Sequence, residues 1–246
     1  MKEQRDFSLL ISDLHLADER PDIARLFLGF VAGVAVGATD LFILGDLFEF
    51  WVGDDTIDEP LNREVATALS RLAAGGTHIA FMHGNRDFLA ADGFAAAARV
   101  ELLPDPCLTM LQGVGTLLMH GDTLCTDDHD YQRFRAHVHD PAVQRQFLGL
   151  PVATRRQQVG KTRAHSEQQK QVKAPELMDV VPAAVEAAVR TAGYPPRLIH
   201  GHTHRPARHE LTVDGHRCER WVLADWYRAG EYLRVDADGV TRHPVA

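Results

Sequence analysis

Asp13 and His15 stand two residues apart, and four more blocks of Asp, Asn and His follow: Gly45-Asp46, Gly84-Asn85-Arg86-Asp87, His120-Gly121-Asp122 and Gly201-His202-Thr203-His204. Mixed carboxylate, amide and imidazole donors with no thiolate favour Mn²⁺, Fe or Zn²⁺ over Ca²⁺ or a structural zinc. Asp13 and His15 can turn toward one ion once the chain leaves a strand. Asp46 can bridge two ions with its two oxygens. Asn85, His120 and His202 supply neutral oxygen and nitrogen, and His204 adds a further imidazole. Two such ions about 3.5–4 Å apart polarise a phosphoryl group and generate hydroxide at neutral pH. The chemistry these residues point to is phosphoester hydrolysis. Taken singly, Asp13-Leu14-His15 could be a turn with a helix cap, and Gly45-Asp46 or His120-Gly121-Asp122 an ordinary strand-end turn. Five blocks in this order carry the reading. Asp87 and Asp122 are expected to orient imidazoles or loop backbone. His83 and His200 fit either that role or simple burial, and the remaining histidines, His137 and His139 among them, read as ordinary.

Each block follows a short apolar run, at residues 7–11, 41–44, 79–82, 117–119 and 198–199. Such runs, bounded by Gly, read as buried strands delivering polar residues at their C-terminal ends. Between them, residues 22–36 and 61–73 have helical periodicity. Residues 102–111 and 114–119 read as strands joined at Gly113. Residues 182–191 read as a helix and 197–200 as a strand. Antiparallel strands then fill 207–245, with Asp214-Gly215 and Asp238-Gly239 turns. The pattern is that of a layered α/β fold.

From about residue 128 to 175 strand signals vanish and charged and amide residues dominate, Arg155, Arg156, Lys161, Arg163, Lys170 and Lys173 among them. This stretch reads as a helical insertion, broken near Pro151, over a core made of residues 1–127 and 176–246. Residues 143–152 are apolar on one side and flanked by Arg. They either pack on the core or form an exposed apolar tip with a basic rim, suited to a bilayer surface or an acyl substrate.

The net charge of −8 over 246 residues argues against a nucleic-acid partner. Three widely spaced cysteines indicate no disulfide framework and suit a reducing cytosol. Residues 1–6 lack the apolar run of a signal peptide, and no segment has the roughly 18 apolar residues of a membrane span. Any contact with a membrane is expected from its surface.

These motifs resemble those of the calcineurin-like metallophosphoesterases, with the pattern D-x-H, G-D, G-N-[HR]-[DE], H and G-H-x-H. The resemblance implies an α/β sandwich with a two-sheet core flanked by helices and metals at the strand C-termini. The longer stretches from Gly45 to Asp55, Gly84 to Leu89, His120 to Asp128 and His200 to Pro206 are similar to one branch of that family. That branch cleaves the pyrophosphate of UDP-2,3-diacylglucosamine in lipid A biosynthesis, giving UMP and 2,3-diacylglucosamine 1-phosphate. The resemblance implies two Mn²⁺ ions, one held by Asp13, His15, Asp46 and His204 and the other by Asp46, Asn85, His120 and His202. Water activated by the pair would attack the α-phosphorus. It also places Asn85, Arg86, Asp128, Ser166, Lys173 and His202 on substrate positions, and Lys170 where relatives carry Asn. Apart from the resemblance, Ser166, Lys170 and Lys173 read as a solvated helix face. A monomer resting on the cytoplasmic face of the inner membrane is expected.

Arg86 supports the diphosphate substrate on chemical grounds. A His there could protonate an alkoxide leaving group. A departing phosphate monoester, with a second pKa of about 6, needs little such help, and a guanidinium gripping phosphoryl oxygens suits it better. Two competing functions remain. A general phosphodiesterase would explain the metal motifs but neither Arg86 nor the insertion. A scaffold that kept the fold without catalysis would not need all seven ligand residues.

Overall fold

The computed structural model describes residues 6–172 and 178–245. In chain order the elements are β1 (Ser8–Ile11), α1 (Pro21–Ala32), β2 (Asp40–Leu44), α2 (Pro60–Ala74), β3 (His78–Met82), α3 (Asp92–Ala98), β4 (Glu101–Leu103), β5 (Cys107–Leu111) and β6 (Val114–Met119). There follow α4 (His129–Val138), α5 (Pro141–Leu148), α6 (Val152–Val172), α7 (Pro182–Thr191), β7 (Arg197–His200), β8 (Ala207–Val213), β9 (His216–Val222), β10 (Glu231–Asp236) and β11 (Gly239–Pro244).

Two sheets stack face to face. One has the order β11-β10-β1-β2-β3-β4, the other β5-β6-β7-β9-β8. In β1, Leu9 and Ile11 face α1, α2 and α3, while Leu10 faces the second sheet. Burial on both faces is why the central strands read as unbroken apolar runs rather than alternating ones. The space between the sheets is filled by Leu10, Phe42, Leu44, Met82, Leu118 and Ile199. Leu117, Met119 and Leu198 on the far face of the second sheet pack against Val185 and Val189 of α7. The layers therefore run helix, sheet, sheet, helix, in agreement with the α/β sandwich expected.

The parallel register of β1, β2 and β3 ends their strands at one level: Ile11 pairs with Ile43, and Leu44 with Met82. In the other sheet Met119 pairs with His200. Every polar block therefore emerges on the same edge of the sandwich.

Three local expectations are corrected. Residues 102–111 are two strands in different sheets, because Pro104 and Pro106 lack the N–H a ladder requires. α1 stops at Ala32, capped at Gly33, so Val34 and Val36 lie exposed beyond it. α3 had no counterpart in the reading of periodicity, although its Ala-rich run has high helix propensity.

Candidate metal centre and adjoining cavity

Backbone hydrogen bonds carry the alignment of β1 and β2 past their ends: Asp13 N to Gly45 O at 3.1 Å and His15 N to Asp46 O at 2.9 Å. The second sheet locks onto the first through His120 Nδ1, which donates to Leu44 O at 2.9 Å. His202 N also donates to Asp13 Oδ2, at 2.9 Å. This close seam demands glycine. A Cβ on Gly84 would collide with Asp46, and one on Gly201 would lie on Asp13 and Ser12.

Seven side chains from five loops converge at the seam. His204 Nε2 lies 3.3 Å from Asp13 Oδ1 and 3.4 Å from His15 Nε2. Asn85 Oδ1 lies 3.1 Å from His120 Nε2 and 3.0 Å from His202 Nδ1. Between the two groups stands Asp46, with Oδ2 at 3.8 Å from His15 Nε2 and Oδ1 at 3.9 Å from His120 Nε2. Donor atoms of Asp13, His15 and His204 fall within 4.8 Å of one another, as do those of Asp13, Asp46 and His120. Asp13 thus belongs to both groupings. Asp13 Oδ1 is buried without a hydrogen-bond partner, which suits an oxygen reserved for a cation.

The backbone is shaped for the same purpose. Asp13, His15, Asp46, His202 and His204 all have positive φ, between 51° and 68°. Left-handed backbone costs a non-glycine residue roughly 1–2 kcal/mol, and such strain gathers at functional sites. Asp87 holds the Asp46 loop: its carboxylate accepts from the N–H groups of Leu47 at 2.7 Å and Gly84 at 2.8 Å. Asp122 does something different from orienting an imidazole. It accepts from Tyr131 Oη and Arg135 Nε, both at 2.6 Å, and so ties α4 to the core. His200 is buried, with Nδ1 donating to Gly201 O and Nε2 facing Arg220.

Charge follows from this packing. Burial pushes the Asp46 carboxyl up to about 7, opposed by His120 and reinforced by Asp87 and Asp13. Burial acts on Asp13 too, but the adjoining His204, together with the charges of His120 and His15, holds it well below the carboxylate range. Burial would lower His120, yet Asp46, Asp122 and Asp13 raise it to about 9. His202, buried beside His120, falls to about 3 and is neutral. Crowded carboxylates and a neutral imidazole form a donor set that divalent cations would fit and deprotonate.

A cavity of about 850 Å³ opens from these residues. His15, Asp46, Asn85, Arg86, His202 and His204 form its polar end. Phe50, Trp51, Phe88, Phe134, Val143 and Phe147 line much of the rest, so it runs beneath α4, α5 and α6. Residues 143–152 therefore divide. Val143 and Phe147 face the cavity, whereas Leu148 is 41% exposed. Arg155, only 2% exposed, fastens α6 to the core through Asp55 and Val52 O, and also bonds Leu150 O at the turn before the helix.

Of the residues expected at substrate positions, Asn85, Arg86, Asp128 and His202 line the cavity. Asp128 also caps α4 through the N–H of Tyr131, at 3.1 Å. Ser166 and Lys170 lie on α6 with side chains outside the described residues, and Lys173 lies outside them altogether. His137, set aside as ordinary, lines the cavity. The sequence reading also missed Glu49, Tyr131 and Tyr227. Tyr227 stacks on His15 at 5.0 Å between ring centroids, with the Arg20 guanidinium 4.7 Å from its own ring. A carboxylate between Phe48 and Phe50 was the available signal for Glu49. Tyr227 had none.

The sandwich, the strand-end donors and a match of residues 8–206 to the calcineurin-like phosphoesterase model agree: the chain belongs to that family. Its relatives are more specific. A UDP-2,3-diacylglucosamine hydrolase from Aromatoleum aromaticum is 53% identical, the match covering 94% of each chain. Enzymes of the same name from Chromohalobacter salexigens and Xanthomonas axonopodis pv. citri are 50% and 49% identical. Those matches cover 96% and 97% of this chain, and 95% and 99% of the relatives.

Proposed function

We propose that this protein hydrolyses the pyrophosphate of UDP-2,3-diacylglucosamine, releasing UMP and 2,3-diacylglucosamine 1-phosphate in lipid A biosynthesis. The observation that carries this reading is the apolar cavity that opens from the donor cluster, with Arg86 at the junction. A soluble sugar nucleotide has no use for an apolar chamber of that size, whereas acyl chains do.

Asp13, His15, Asp46 and His204 would hold one Mn²⁺, and Asp46, Asn85, His120 and His202 the other. When bound, the ions polarise the phosphoryl oxygens and acidify the attacking water. The chain's own residues do the positioning. His120 Nδ1 is spent on Leu44 O, so Nε2 is the nitrogen turned into the centre. Arg86, 15% exposed, lines the polar end of the cavity beside Asn85, where its guanidinium can reach a phosphoryl oxygen. The departing phosphate leaves without a general acid, so an arginine at position 86 loses nothing by being unable to give up a proton.

In this reading the insertion, residues 128–175, serves the acyl chains, and Asp128, Ser166, Lys170 and Lys173 would contact the substrate. The protein would work as a monomer on the cytoplasmic face of the inner membrane. No described helix is long and apolar enough to cross a bilayer. In this reading the protein meets the membrane from its surface, through the exposed Leu148. The test is UMP release from the diacylated substrate and from UDP-glucose, with Mn²⁺ and with chelator. Activity confined to the lipid and dependent on Mn²⁺ is expected. Equal rates on UDP-glucose would sink the lipid assignment. Arg86→Ala should lower turnover about 100-fold with metal content unchanged.

A further inference from the structure

Glu49 is 3% exposed and sits on the loop after β2, between Phe48 and Phe50. A carboxylate so far from water is tolerated only where groups of opposite charge or donor hydrogens meet it. Three do, each from a different part of the chain. Its Oε2 lies 3.4 Å from His15 Nδ1, an ion-pair approach rather than a formed hydrogen bond. Its Oε1 lies 3.2 Å from Arg163 Nε and 3.8 Å from Arg86 Nη1.

The directions matter as much as the distances. His15 turns Nε2 toward Asp46 and His204, so the nitrogen facing Glu49 is the one at the back of the ring. An acceptor there keeps the proton on Nδ1 and leaves the Nε2 lone pair for a cation. The other oxygen meets a guanidinium at the cavity mouth and a second one from α6, the long helix of the insertion. One buried carboxylate thus touches a donor-cluster imidazole, a phosphate-binding arginine and the insertion. As an ion pair alone it would add little stability, since desolvation offsets the attraction.

We propose that Glu49 is a positioning residue. It sets the tautomer and aim of His15 toward a divalent cation and registers α6, through Arg163, against Arg86. The proposal rests on the reading that His15 binds metal. Removing the charge but not the shape, in Glu49→Gln, should therefore weaken one ion far more than the other.

The experiment is calorimetric titration of the chelator-treated full-length protein with MnCl₂ alone. Wild type should bind two ions. Glu49→Gln should keep one binding event at the wild-type affinity and lose 10- to 100-fold at the other, the range typical of groups that orient a ligating imidazole. Its metal-free melting temperature should match that of wild type. Two events of wild-type affinity in the variant would overturn the proposal. Equal loss at both sites with a lowered melting temperature would do so too, by making Glu49 merely structural. If Glu49→Gln does not fold, Glu49→Asp takes its place, with the same one-sided loss expected because the shortened side chain withdraws from His15. A wild type that binds no Mn²⁺ would instead refute the metal reading of His15, a result distinct from either of the others.

Discussion

Asp46 shows how a single side chain can be a liability to the fold and still stand where donors from both sheets converge. Its carboxyl is raised from 3.8 to about 7 by burial, with Asp87 and Asp13 adding to the shift against His120. A carboxyl raised on folding binds its proton more tightly in the folded chain than in the unfolded one. The resulting penalty is absent below about pH 4 and grows as pH rises through 7. In chelator at pH 8, Asp46→Asn should therefore be more stable than wild type, by on the order of 2–4 kcal/mol. Denaturant unfolding should show the gap closing toward pH 4, and a gap that does not change with pH would contradict the argument. With Mn²⁺ the order should reverse, because only wild type has both oxygens to offer, and UMP release by the variant should be abolished. The five left-handed residues belong to the same pattern: Asp13, His15, Asp46, His202 and His204 hold unfavourable backbone where the donors must turn inward. Residue types and strand ends announced these positions in the sequence; their backbone angles are set by the seam between the sheets and left no local trace.

At the level of elements, the insertion is tied to the core at two points. Asp122 grips Tyr131 and Arg135 of α4, and Arg155 at the start of α6 reaches Asp55 and the carbonyls of Val52 and Leu150. Gly53 makes room for that arginine: its φ is 132°, and a Cβ there would strike Arg155 and come within 2.8 Å of Leu148. Arg155→Ala should lower stability by about 2 kcal/mol, the scale of charged hydrogen bonds lost from a partly buried site. It should also raise KM for the lipid substrate more than it lowers kcat, since the cavity wall loosens while the donor cluster is untouched. A Tm shift without a change in KM would separate the latch from substrate binding. The helices of this region were legible as helices from composition and from the break at Pro151. Arg155 was one charge among many there, because nothing nearby in sequence shows that Asp55, a hundred residues away, lies across from it.

Across the whole molecule, the donor cluster is a joint between two sheets. Asp13, His15, Asp46 and Asn85 come from one, and His120, His202 and His204 from the other. Ions bound there would bridge the layers and stabilise only the folded state. Mn²⁺ at 100 times its Kd should add about 2.7 kcal/mol per site, seen as a rise in Tm that chelator reverses. An unchanged Tm would argue against tight binding at the joint. The chemistry of this protein was readable along the chain because donor identity and strand period are local properties: Asp, His and Asn at the ends of apolar runs need no neighbour to be recognised. Which donors face one another is a different kind of fact. It depends on the register of parallel strands and on two sheets packing closely enough for Gly84 and Gly201 to be required. The apolar cavity under the insertion, the hub at Glu49 and the stack of Tyr227 on His15 arise from contacts between segments far apart in sequence. They exist only once the layers have closed.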